Sequence, residues 1–386
     1  MKTALSAKIG KKIKEKRLAL KLTIHEISNE INLTEKFLKA IENGAVRSIA
    51  PSNIALVKYW GKKPNQIPAN PSISFTLNNA KTTTTLNYQR KSSKGFSFEV
   101  FLEGKLKEDF KLKIQHFFQR ILAYTPYLET FHFVIQTSNT FPHSSGIASS
   151  ASGMSALAFC LMQLESALYK GLDADHIKRK ASFLARLGSG SACRSIEGGL
   201  VVWGQHQSIQ GSSDLYGCKF PMEIHTIFKD YQDAILLVDK VEKQVSSSVG
   251  HDLMHGHPFA KQRFTQANAH MQALIPILKN GDLPGFIKIV ESEALTLHAM
   301  MMCSDPYFIL MKPETLKLIN AIWEFRKTAQ IPVCFTLDAG ANIHVLYPKI
   351  NTKAVNNFIE TKLANFCQNR HYILDSLGTG AECIKI

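Results

Sequence analysis

The 386-residue chain has no apolar run approaching the roughly 18–20 residues that span a bilayer, so no membrane partner is expected. Residues 1–21 are basic and interrupted every few positions, which is not the pattern of a signal peptide. The seven cysteines are odd in number and form no C-x-x-C pair. That argues against a structural zinc site and for a reducing, cytoplasmic setting. His255 with His257, and His298 with Met300–Met302, lack a third ligand at zinc-like spacing, so no metal site made of protein ligands is expected. No internal repeat and no low-complexity linker is visible. Acid is also in short supply, with 31 Asp and Glu against 46 Lys and Arg, a formal net charge of +15. Residues 1–49 hold 11 basic and 5 acidic residues, so +6 of that charge sits in about an eighth of the chain. The remainder fits an enzyme for anionic substrates and fits an ordinary basic surface almost as well. A composition of 45% hydrophobic and 20% charged residues allows a large core, and the length allows one to three domains.

What is present begins with the run PHSSGIASSASGMSA, Pro142 to Ala156, which enters an apolar helix-forming stretch ending near Leu164. A Gly/Ser loop at a helix start offers bare backbone N–H groups, hydroxyl donors and the positive end of the helix dipole, and so suits a phosphate. It is not a Walker A loop, because G-x-x-x-x-G-K-[ST] is absent. In APSNIALVKYWGK, Ala50 to Lys62, a strand containing Ile54 and Leu56 delivers Lys58, Tyr59 and Lys62 to a Gly turn. Two ammonium groups and a phenol there suit a polyanion. GSGSACRS, Gly188 to Ser195, is a polar loop with one Arg whose fork could hold a carboxylate or phosphate at two points. FTLDAGAN, Phe335 to Asn342, ends an apolar strand in an acid and a Gly turn, a rigid edge for a catalytic carboxylate.

At these residues, in this order, the chain resembles the mevalonate diphosphate decarboxylases of the GHMP kinase superfamily. The resemblance runs from about Val46 to the C-terminus. It implies ATP-dependent phosphorylation of the tertiary 3-hydroxyl of mevalonate 5-diphosphate, loss of that phosphate, release of carbon dioxide and formation of isopentenyl diphosphate. ATP and Mg2+ are the implied cofactors, and a homodimer is the expected assembly. Asp338 matches the family's catalytic acid, which accepts or orients the hydroxyl proton. Arg194 matches the Arg that holds the substrate carboxylate, and Ser191 a neighbouring substrate-binding hydroxyl. Tyr59, Lys62 and Ser247 match diphosphate contacts. Asn53 and Lys58 are expected to support the site, Lys58 beside Asp338, where a cation favours the ionised carboxylate. Ser144, Ser145, Gly146, Ser149 and Ser150 are the expected ATP contacts, and magnesium neutralises the transferring phosphoryl group. Loss of phosphate from a tertiary carbon passes through a carbocation-like state that disfavours nearby positive charge. Two departures stand out. Ala341 replaces the Pro of the family's D-A-G-P-N turn, and Ser248 stands where some bacterial members carry Arg, which removes one diphosphate contact.

Periodicity predicts strands at Val46–Lys58, Thr82–Tyr88, Leu200–Trp203 and Ile235–Asp239, a hairpin arm at Phe96–Glu103, and a strand pair Val333–Leu337 with Ile343–Tyr347 around Asp338. It predicts helices at Phe110–Leu122, His176–Arg186, Phe259–Leu278, Leu283–Met302 and Pro313–Thr328. A strand-rich first half and a helix-rich second half imply an α+β protein of two lobes. The family resemblance implies the GHMP-kinase-like fold with its site in the cleft between lobes. The expected division is a helical extension at 1–45, an N-terminal lobe at 46–232 and a C-terminal lobe at 233–386.

The first 44 residues do not fit that pattern. Apolar spacing gives three short helices, with Thr23 and Thr34 as caps of the second and third and Gly44 as the end of the last. They resemble the first three helices of phage-repressor-type helix-turn-helix domains, down to the closing Ile41-Glu-Asn-Gly44. The candidate recognition helix, Thr34–Ile41, offers Lys36 and Lys39 but also Glu35. An appendage packed on the enzyme is the favoured reading, with nucleic acid binding through 1–44 as the alternative. For the whole chain, the alternatives are a GHMP relative acting on mevalonate or its monophosphate, and a DNA-binding regulator with a GHMP fold as sensor. A pure sensor has no need of Asp338.

Overall fold

Two long antiparallel strands form the spine of the molecule. In this computed structural model the described residues are 43–142, 147–240 and 247–385, together with Glu15, Arg17, Leu18, Thr23 and Ile24. β1 (Asn43–Val57) leads to a small ribbon of β2 (Lys62–Lys63) and β3 (Ile67–Pro68), and then to β4 (Ser72–Arg90). β1 and β4 pair from Asn43 opposite Gln89 to Val57 opposite Ile73. Burial alternates along β4 from Ala80 to Tyr88, the period of a strand with one face on the core. The register slips between Pro51 and Asn53 and again between Ala55 and Val57. Such slips bend a strand and re-aim its side chains.

β5 (Ser97–Leu102), β6 (Lys105–Leu106), α1 (Lys111–Ile121) and β7 (Phe131–Asn139) follow. Then come α2 (Ser149–Leu168), α3 (Ala174–Gly188), β8 (Leu200–Trp203) and β9 (Cys218–Lys219). The second half contains β10 (Gln232–Leu236), α4 (Ser247–Asp252), α5 (Ala260–Asn280), α6 (Leu283–Met302) and α7 (Pro313–Ala329). It closes with β11 (Cys334–Thr336), β12 (Ile343–Tyr347), α8 (Thr352–Thr361), β13 (Tyr372–Ser376) and β14 (Glu382–Ile384).

The first sheet runs β14-β1-β4-β7-β5-β6, with β8 on the other half of β4 and β9 beyond it. The second runs β11-β12-β10-β13. α2 and α3 cover the first sheet around Phe118, Phe133, Leu157, Leu161 and Leu184. α7 and α8 cover the second around Leu318, Ile322, Phe335, Val345 and Ile359. A third apolar cluster unites Leu274 and Leu278 of α5 and Phe286 and Val290 of α6 with Ile54 and Phe75 of the first sheet and Ile235 and Leu346 of the second. This arrangement is the expected α+β architecture.

Four sequence expectations need amendment. Gly44 does not end a helix, because β1 starts at Asn43 and Gly44 pairs with Tyr88. The C-terminal segment does not stay with the second sheet, because β14 pairs with β1 at Arg47–Ile49. α2 is long and apolar enough to span a membrane, against the expectation of no such run, but most of its apolar stretch is buried in the core. Phe131–Asn139 forms a further strand, between β4 and β5, that the periodicity does not predict, although its burial alternates at its start. The rest of the helix-turn-helix expectation falls on 1–14, 16, 19–22 and 25–42, outside the described residues.

Candidate active site

A cavity of about 250 Å³ lies where the end of β1 meets α6, the start of α2 and the turn after β11. Its wall includes Lys58, Tyr59, Lys62, Ser150, Ser191, Arg194 and Asp338, which come from four separate segments of sequence.

β1 ends at Val57, and the next residue is the buried Lys58. Its ammonium donates to Asp338 Oδ1 at 2.9 Å. Burial lowers the lysine's pKa, and the Asp338 charge and hydrogen bond oppose that shift. The ammonium in turn favours the ionised carboxylate. The Lys58 backbone is clamped as well. Its N–H donates to Glu293 Oε2 at 2.8 Å, and its carbonyl accepts from Arg263 Nη2 at 2.9 Å and Asn70 Nδ2 at 3.0 Å. Arg263 closes the clamp with two hydrogen bonds to the Glu293 carboxylate, one of them 2.9 Å.

Asp338 follows β11, whose pairing with β12 aligns Thr336 with His344. The turn is fixed without a proline. Thr315 Oγ1 donates to the Ala341 carbonyl at 2.8 Å, and the Asn342 side chain exchanges two 2.9 Å hydrogen bonds with the Asp239 backbone. His298 Nε2 lies 3.1 Å from the Asp338 carbonyl oxygen. These contacts hold the turn in which Ala341 replaces the family's Pro.

Arg194 is buried, and burial lowers its pKa. Nη1 donates to Ser72 Oγ at 2.6 Å and Nε to Asn53 Oδ1 at 3.3 Å. Nη2 has no protein partner among the described residues, which leaves donors for a ligand. The guanidinium carbon sits 5.9 Å from the ring centres of both Tyr59 and Trp203. Asn53, expected to support the site, does not line the cavity. It is buried just past the register slip at Pro51, and it holds Arg194 and the Ser195 hydroxyl, the latter at 2.8 Å. Gly190 lets the Ser189–Ser191 loop pass close to Tyr59, since a Cβ there would lie 2.7 Å from the phenol oxygen.

On the opposite wall α2 begins after Ala148, whose left-handed φ of 46° turns the chain into the helix. Ser150 faces the cavity and approaches Ser189 Oγ at 3.5 Å. Ser149 is the first residue of the helix but is not on the cavity wall. Ser144, Ser145 and Gly146 lie outside the described residues, as does the side chain of Ser247 at the start of α4.

Sequence reasoning missed several wall residues. His251 stacks on Tyr59 and leans on Trp60, which also lines the wall, Lys113 arrives from α1, and Leu297 and Ala339 supply the apolar part. The described wall therefore carries four cations (Lys58, Lys62, Lys113 and Arg194) against one carboxylate.

Two family profiles match the chain. Residues 50–215 match the diphosphomevalonate decarboxylase-like N-terminal domain, and residues 234–379 the mevalonate 5-diphosphate decarboxylase C-terminal domain. The diphosphomevalonate decarboxylase of Ganoderma lucidum is 30% identical over 329 residues, which cover 80% of each chain. The chain belongs to the diphosphomevalonate decarboxylase family. Among solved structures, the mevalonate diphosphate decarboxylase of Staphylococcus aureus superposes with a TM-score of 0.76 at 28% identity, covering 89% of this chain and 98% of that one. MDDEF in complex with MVAPP, AMPPCP and magnesium gives 0.75 at 28% identity, covering 89% and 99%. Residues 1–49 precede both diphosphomevalonate decarboxylase profiles, so the cavity and its clamp lie within the family's part of the chain.

Proposed function

We propose that the chain catalyses the ATP-dependent decarboxylation of mevalonate 5-diphosphate to isopentenyl diphosphate through transient 3-phosphorylation. The observation that carries this reading is the Lys58–Asp338 pair at 2.9 Å, facing the same cavity as the partly unpaired fork of Arg194. Asp338 is the group that receives the proton of the 3-hydroxyl as it attacks, and Lys58 keeps that carboxylate charged and oriented. Arg194 holds the substrate carboxylate so that its C–C bond aligns with the departing 3-phosphate. The electrons of that bond then form the new double bond, and the phosphate takes those of the C–O bond. Tyr59, Lys62 and Ser247 bind the 5-diphosphate, and Ser191 supplies a further hydroxyl.

Nucleotide binding fits the opposite wall. An excess of cations and the N-terminus of the 20-residue α2 both favour polyphosphate, and Ser144, Ser145, Gly146, Ser149 and Ser150 are the proposed contacts. Magnesium needs few protein ligands when phosphate oxygens and water fill its shell. That suits a described wall with one carboxylate, and ATP with magnesium supplies a charge-neutralised phosphoryl group.

The proposed division keeps 1–45 as an appendage, 46–232 as the first lobe and 233–386 as the second, with β14 lent back to the first. All seven cysteines are free, which supports a cytoplasmic setting. A homodimer is the proposed assembly, and the exposed Phe259, Tyr307 and Ile309 supply apolar surface for it.

The test is coupled ADP release and CO2 evolution with mevalonate, its 5-phosphate and its 5-diphosphate. The 5-diphosphate should give the highest kcat/KM, since each charge-assisted hydrogen bond contributes roughly 1.5–3 kcal/mol. A preference for the monophosphate would assign the chain to another step.

A further inference from the structure

His251 lies on the cavity wall, and the mechanism above does not use it. It is 5% exposed. Its ring stacks on Tyr59 at 4.2 Å between centres and leans on Trp60 at 4.5 Å. Gly250 allows this placement, because a Cβ there would fall 2.6 Å from the Trp60 ring. The turn at Gly61, with φ of 92°, aims its N–H at His251 Nδ1, and the hydrogen bond is 3.0 Å.

That hydrogen bond fixes the tautomer. Nδ1 accepts from an N–H and cannot carry a proton of its own, so the ring is neutral and its proton is on Nε2. Nε2 has no protein partner among the described residues. Nε2 is not a fully buried orphan, so this donor is open to an acceptor from the cavity that His251 lines. Burial, then Lys62 and Arg194, push the imidazole down to about 3, so it stays a neutral donor at any ordinary pH. The polar groups around it on the wall are Tyr59, Lys62, Arg194 and the Lys58–Asp338 pair. A ligand oxygen that satisfies the cations would be anionic and would also accept from Nε2.

We propose that His251 donates its Nε2–H to a phosphate oxygen at the 5-diphosphate end of the substrate, beside Tyr59 and Lys62. This inference rests on the proposed function and adds a specificity-determining contact to it. A neutral donor has a physical advantage at this place. It grips the anion without adding a full positive charge near the carbocation-like state.

The experiment uses the full chain with His251→Phe, which keeps the stack but has no donor, and His251→Gln, which keeps an amide donor. His251→Phe should raise KM for mevalonate 5-diphosphate, and Ki for inorganic pyrophosphate, by about tenfold to a hundredfold. Its kcat and KM for ATP should stay within about threefold, and His251→Gln should recover most of the loss. Unchanged KM and Ki in folded His251→Phe would overturn the contact, and so would equal loss in both variants. Should His251→Phe not fold, 15N spectra of the wild-type histidines decide. Pyrophosphate should shift the His251 resonances, assigned with His251→Gln, while the Nε2–H tautomer persists, and unmoved resonances would refute the proposal. Failure of the wild-type chain to turn over mevalonate 5-diphosphate would sink the proposed function instead, while the pyrophosphate measurements would still report on His251.

Discussion

Glu293 accepts the backbone N–H of Lys58 at 2.8 Å, across 235 residues of sequence. It is fully buried, and it also receives Arg263 and His270, the latter at 2.5 Å. Burial alone would raise the Glu293 pKa, but hydrogen bonds from His270 and the charge of Arg263 outweigh it, and the net shift is downward. The carboxylate thus sets the position of the lysine that faces Asp338.

Glu293→Ala should therefore destabilise the fold strongly. It strands the buried Arg263 and leaves the Lys58 N–H without an acceptor, and breaking such a pair costs about 3–5 kcal/mol. Glu293→Gln keeps an acceptor for Lys58 and should lose less. Urea unfolding of both variants checks the order. Equal stability of Glu293→Ala and wild type would show that the clamp is not structural.

Asp338→Asn or Asp338→Ala should abolish ADP formation together with CO2 release, because phosphorylation precedes decarboxylation. The expected loss is roughly a hundredfold to ten-thousandfold, typical for an acid–base group. Near-wild-type ADP release by Asp338→Asn would remove Asp338 from the reaction.

Much of this arrangement was legible in the sequence because it lies in short contiguous motifs. Lys58, Tyr59 and Lys62 share one turn, Ser191 and Arg194 share one loop, and Asp338 ends an apolar strand. The β11–β12 pair was equally plain, since two apolar runs flank a Gly turn. What stayed hidden depends on distant contacts. His251 meets Gly61 across 190 residues, and nothing in Gly-His-Asp marks it as a wall residue. Glu293 reads as a polar interruption of a long apolar helix, and only its contacts with Lys58, Arg263 and His270 explain its burial. Asn53 sits in the right motif, but only its long-range contacts with Arg194 and Ser195 show that it holds another site residue rather than lining the cavity.

Arg194→Gln should depress kcat by about a hundredfold, the usual scale for a misplaced reacting group. KM for ATP should change far less, since lost transition-state positioning appears in kcat. An unchanged kcat with a raised KM for ATP would place Arg194 in the nucleotide site.

Acid sensitivity should follow His251. Its folded pKa, about 3, lies below the ordinary 6.5, so between those values the unfolded chain binds a proton that the fold does not. Stability from this group is therefore fully present above about pH 6.5 and lost as pH falls. Between pH 7.5 and 5.5 the loss is about 1.4 kcal/mol. His251→Phe removes the titration and should flatten the curve by about that amount. Urea midpoints at the two pH values measure it, and parallel curves for wild type and variant would refute the assignment.

The N-terminal residues make the last prediction. The motifs that carry the chemistry all follow Ala50, so a chain lacking the extension should keep its site. The cut belongs just before Asn43 rather than at Ala45, because Asn43 and Gly44 already pair with Gln89 and Tyr88 and extend the spine. Ile24 is partly buried against the core of the first sheet, which supports an appendage packed on the enzyme, whereas Leu18 is 57% exposed. A segment shorter than roughly 40 residues seldom folds alone, so its apolar side chains need such a partner. The truncated chain should thus retain kcat within about threefold while its melting temperature falls by a few degrees, as expected for a loss of about 1 kcal/mol. Binding of the full chain to DNA should be weak and should vanish near 200 mM salt, since non-specific phosphate attraction fades steeply there. Tight, sequence-selective binding that survives that salt would make residues 1–44 a DNA reader, and loss of all turnover in a folded truncation would make them part of the active site.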